Sequence, residues 1–85
     1  MLSFLYSGFI AKPIKTNSIV VFDKSTVSVS VYDRHFRDKF EGKTFLFGGE
    51  VPNAPGHCVL FDLSDGTVIG MYHTVNFRLA TGDEI

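Results

Sequence analysis

Three histidines and a single cysteine are the side chains of this chain whose types could hold a metal ion or attack an electrophile. His57, Cys58 and His73 fall near the open end of one hairpin, where a soft nitrogen and sulfur set would suit zinc or copper. Neighbouring residues of a strand point to opposite faces, so His57 and Cys58 reach one ion only across a bulge. The expectation is therefore no metal: Cys58 is a small buried hydrophobe and the histidines are hydrogen-bonding strand ends. Cys58 as a nucleophile would need a base within hydrogen-bond reach and an oxyanion pocket. His73 could be that base in one hairpin register, but no nucleophile elbow or glycine-rich oxyanion loop accompanies the pair. Asp62, Asp65, Asp83 and Glu84 sit at turns or in the tail, where carboxylates satisfy turn N–H groups or are solvated. Gly48-Gly49 lacks the Gly-Lys-Ser/Thr and the following helix of a phosphate loop. No catalytic residue and no cofactor are assigned, and the chain reads as non-enzymatic.

Two stretches are suited to binding. Tyr72, His73, Asn76 and Arg78 cluster after the hairpin, and tyrosine and arginine are residue types that interface hot spots favour. Another protein is accordingly the expected partner. The alternative is single-stranded nucleic acid, because Arg34, Phe36, Arg37 and Lys39 interleave basic and aromatic side chains in one segment. Asp33, Asp38 and Glu41 offset much of that charge, and the sequence pI is about 6.2.

The elements that must position these residues follow from composition and pattern. Eighty-five residues, 45% of them apolar and nine of them Phe, suit one small domain over 1–85. Residues 1–43 carry seven basic and four acidic side chains and residues 44–85 one and five, an asymmetry of little weight because the halves of a small barrel intermix. A lone cysteine forms no internal disulfide and points to a reducing, cytoplasmic compartment. The opening MLSFLYSGFIAKPIK has no cationic start, is interrupted by Ser7 and Gly8, and falls short of the ~20 residues a membrane span requires. It reads as a strand over Leu2 to Ile10, followed by a loop at Pro13, and no membrane contact is expected.

Further strands are expected at Ser18 to Phe22, Thr26 to Tyr32 and Thr44 to Val51, the last with a bend or bulge at Gly48-Gly49. The stretch TVSVSVY is the purest two-residue alternation in the chain. Between it and Thr44, Phe36 and Phe40 are spaced for one helical turn capped by Asp33 and Gly42, while a charged loop fits the same residues. The hairpin 56–76 turns at Ser64-Asp65-Gly66. With Asp65-Gly66 central, Leu63 opposes Val68 and Cys58 opposes His73. With Gly66 as a bulge after Ser64-Asp65, His57 opposes His73, Val59 opposes Met71, Phe61 opposes Ile69 and Leu63 opposes Thr67. The second is preferred because it gathers Val59, Phe61, Ile69 and Met71 on one face for burial. Thr74 to Leu79 reads as a last short strand or a 3₁₀ turn. Five to seven short antiparallel strands with glycine turns make an all-β fold, a small barrel or sandwich. Exposed edges at 18–22 or 2–10 could add to a partner's sheet or pair two copies into a homodimer.

The closing pattern Gly56-His57-Cys58-Val59-Leu60-Phe61-Asp62, Asp65-Gly66, Met71-Tyr72-His73-Thr74, Asn76-Phe77-Arg78 and Asp83-Glu84-Ile85 resembles the end of small SH3-like barrel proteins of bacteria and phages. In these a hairpin delivers a histidine, a strand containing Phe follows and an acidic tail closes the barrel. The resemblance implies an SH3-like barrel and an adaptor-like or inhibitory role. The expected function is thus a small regulator, or a phage-encoded modulator of a host protein complex.

Overall fold

Aromatic side chains decide the layers of this molecule. The computed structural model describes residues 14–85, so the expected strand Leu2 to Ile10, the Pro13 loop and any pairing through that edge lie outside them. Five strands form one antiparallel sheet: β1 Ile19–Phe22, β2 Phe45–Glu50, β3 His57–Asp62, β4 Val68–His73 and β5 Phe77–Leu79. Their order is β4-β3-β2-β1-β5, and among the described residues the sheet is open rather than a closed barrel. A helix, α1, runs from an α turn at Val29–Val31 through a π turn at Tyr32–Phe36 to an α turn at Arg37–Phe40. It packs on one face of the sheet, where Phe40 stacks on Phe22 at 4.8 Å and meets Phe45 and Phe77 edge-on.

The helix corrects the strand expected at Thr26 to Tyr32. Asp23 first accepts hydrogen bonds from the Ser25 N–H and hydroxyl and winds Lys24–Thr26 into a 3₁₀ turn. Ser28 then caps α1, its Oγ accepting from the Val31 N–H at 3.3 Å. Valine's strand preference depends on its surroundings and is worth at most about 1 kcal/mol, whereas Tyr32 and Phe40 are driven inward and end 3% and 2% exposed. Val29 is left 76% exposed as a result. Over eight residues a regular α-helix would turn roughly 80° too far to align Tyr32 with Phe40. The wide turn between them, closed by the Arg37 N–H on the Tyr32 carbonyl, takes up the difference. Of the two readings of 33–43 the helical one holds, with its cap at Ser28 instead of Asp33 and with Gly42 at φ 68 just past its end.

Three further expectations change. Strand β1 pairs with both β2 and β5, so 18–22 is interior and offers no free edge. The hairpin keeps the preferred register at its open end, where His57 faces His73 and Val59 faces Met71, then slips by one so that Leu60 faces Ile69 and Phe61 faces Val68. The extra residue is Gly70, and the turn closes between the Asp62 N–H and the Thr67 carbonyl with Gly66 at φ 76. The buried face is also the other one: Cys58, Leu60 and Asp62 point inward because Phe45 and Phe47 oppose Asp62 and Leu60 beneath the helix. Of the patch expected inside, Ile69 packs against the core, Val59 and Phe61 are half-buried and Met71 is exposed.

The bulge expected at Gly48-Gly49 is present, a register shift between Phe47 and Glu50. Gly48 is required there, since a Cβ would come within 2.8 Å of the Phe61 ring and 3.0 Å of the Val59 carbonyl. Thr74 to Leu79 contains both expected forms in succession, a 3₁₀ turn at Thr74–Asn76 and then β5.

Candidate binding surface

The four residues expected to bind a partner are divided by the fold. Tyr72 and His73 end β4, which is one border of the described sheet. Tyr72 is half-buried with its ring 5.1 Å from Phe40, and its hydroxyl accepts from Lys39 Nζ at 3.4 Å. His73 is exposed and stands opposite His57. Asn76 is a structural cap: its Oδ1 accepts from the Thr26 hydroxyl at 2.9 Å and its carbonyl from the Asp23 N–H at 2.7 Å. Arg78 belongs to β5, the opposite border, and grips Glu84 through two nitrogens at 2.7 and 2.8 Å. That fork, together with the Thr81 N–H, pulls the Glu84 carboxyl from its ordinary 4.5 to about 2, and the ion pair raises Arg78 in turn.

Of the alternative set, Arg34, Arg37 and Lys39 lie exposed on α1. Arg37 is paired with Glu41 at 3.3 Å, and Phe36 turns inward against Phe22 at 5.2 Å. Its half-buried ring is thus shared between the core and the surface.

A cavity of about 490 Å³ opens beside β1, with Phe22, Tyr32 and Phe40 beneath and Lys24, Lys43 and Arg78 around it. Two of those cations are engaged by the chain's own carboxylates, Arg78 by Glu84 and Lys43 by Asp62 at 3.7 Å. Asp62 also accepts from the Ser64 hydroxyl and N–H, bonds that come before Lys43 in holding its carboxyl below the ordinary range. The cavity thus presents little free positive charge to an anion.

Cys58 is fully buried, and burial pushes its thiol up, away from the thiolate that nucleophilic attack requires. It faces Tyr72 across the hairpin, so His73 does not serve it as a base. Among the described residues no group of three or more His, Cys, Asp and Glu side chains could hold a metal ion.

What remains is the β4 border itself. Val68–His73 carries no Asp, Glu, Lys, Arg or Pro, and Val68 and Met71 are 61% and 58% exposed. Edge strands are ordinarily blunted by such residues or by a bulge, and β4 carries only the bulge at Gly70. The sequence carries this signal as VIGMYH, but the expectation of a buried face for Met71 masks the exposed edge. No family model, curated protein or solved structure matches this chain.

Proposed function

We propose that this protein is a non-enzymatic binding module, a small regulator that accepts an extended segment of another protein along β4. The carrying observation is that six-residue edge without Asp, Glu, Lys, Arg or Pro, where a partner strand would gain main-chain hydrogen bonds and contacts with Val68 and Met71. Tyr72 and His73 extend the same edge, and Arg78 and Asn76 drop out of the contact. The strand order and the 3₁₀ turn between β4 and β5 support the SH3-like reading, with α1 set between β1 and β2. On that reading the protein acts in the cytoplasm, as a bacterial regulator or a phage-made modulator of a host complex.

A photoreactive residue placed at position 71 and activated in cells of the source is expected to give one discrete heavier adduct, lost when Val68→Lys is added. An adduct of twice the chain mass would assign the edge to a second copy instead. No adduct at 71, with binding of single-stranded oligonucleotides that weakens steeply from low to physiological salt, would replace this reading by the nucleic-acid one.

A further inference from the structure

The open end of the β3–β4 hairpin carries a second feature, which shares only His73 with the proposed edge. His57 and His73 are directly opposite each other in the register, with ring centroids 4.3 Å apart and planes tilted by 41°. We propose that these two imidazoles form a site for a divalent transition-metal ion of the copper, nickel or zinc class, water filling the remaining positions.

The argument begins with the backbone. Both strand ends are tied: the Val51 N–H donates to the His57 carbonyl at 2.9 Å, the His57 N–H to the Ala54 carbonyl at 3.1 Å, and the Thr74 N–H to the Gly56 carbonyl at 2.8 Å. The two rings are therefore held as neighbours by main-chain bonds on either side. Imidazole nitrogen binds such ions at about 2.0–2.1 Å. The chemistry of the ring atoms agrees. His57 Nδ1 lies 3.1 Å from the Pro55 carbonyl, and because a carbonyl oxygen only accepts, Nδ1 carries the proton. The lone pair then resides on Nε2, the arrangement in which a metal-binding histidine is oriented by a main-chain acceptor. His73 is exposed, so it can turn either nitrogen toward the same ion.

The donor set also selects the ion. Two imidazoles without a carboxylate favour copper, nickel and zinc over calcium and magnesium, which take oxygen ligands. Cys58 does not join, because its side chain lies buried on the opposite face of β3. With two protein ligands the coordination sphere stays open.

Titration of the full chain with nickel or zinc chloride, followed by calorimetry, is expected to show one saturable equivalent. His57→Gln or His73→Gln should weaken it by at least the roughly 10–100-fold that even a supporting residue commands, while His35→Gln leaves it unchanged. In the unsubstituted protein, copper(II) should broaden the amide resonances of 56–58 and 72–74 before any others, a readout independent of how the variants fold. Absence of saturable binding, broadening centred elsewhere, or binding that survives the His57→Gln/His73→Gln double variant would each overturn the site.

Discussion

Thr74 holds the clearest local imperfection in the molecule. Its hydroxyl is buried without a conventional hydrogen-bond partner, while its N–H is used by the Gly56 carbonyl. The Cys58 thiol is a weak sulfur contact of that hydroxyl, an interaction that lowers the thiol against the larger effect of burial. Removing an unsatisfied buried polar atom while keeping the side chain's shape relieves its desolvation cost. Thr74→Val is therefore expected to raise stability by about 1 kcal/mol, seen as a higher urea midpoint with an unchanged slope. At this scale the sequence was partly readable. Cys58 as a small buried hydrophobe follows from residue type, whereas His57 stands opposite His73 only because the bulge at Gly70 shifts the register set at the turn. The Arg78 fork on Glu84 did not, because it depends on how the chain folds back after β5.

For the elements, two patterns are written over the residues that form α1. The alternation of Val27, Val29 and Val31 is local, whereas the spacing of Tyr32, Phe36 and Phe40 gains its value only from a sheet to cover. Local period lost because four buried rings, Phe22, Phe45, Phe77 and Phe40, meet at one place. Phe40→Ala should accordingly cost about 3–5 kcal/mol, a large share of what a domain this size possesses. Phe36→Ala, at a half-buried ring, should cost clearly less, and thermal unfolding of the two variants checks the order. The strands were legible where turns punctuate them, at Gly48-Gly49 and at Gly66, and illegible where register depends on a bulge at Gly70. A lone glycine inside a strand permits a bulge without requiring one.

In the whole molecule, acid acts through two carboxylates held below their ordinary values, Glu84 and Asp62. A depressed folded-state value favours the fold above the ordinary carboxylate range, and that contribution fades as pH falls from about 4.5 toward 2. Arg78→Gln should be less stable than the unsubstituted chain at pH 7, and the gap should narrow through this window, as urea midpoints at pH 7, 4.5 and 2.5 would show. The all-β class and the order of turns along the chain could be read in advance, but the openness of the sheet could not, since closure is a property of strands far apart in sequence. The 3₁₀ turn Thr74–Asn76 nonetheless ties the two outermost strands together. Four interstrand gaps of about 4.8 Å would set β4 and β5 roughly 19 Å apart if the sheet were flat. The tether from His73 to Phe77 spans at most about 14 Å even when fully drawn out, and less when coiled. Flatness is thus geometrically forbidden, and the curl that shelters the phenylalanines is imposed by the shortness of three residues as much as by the rings themselves.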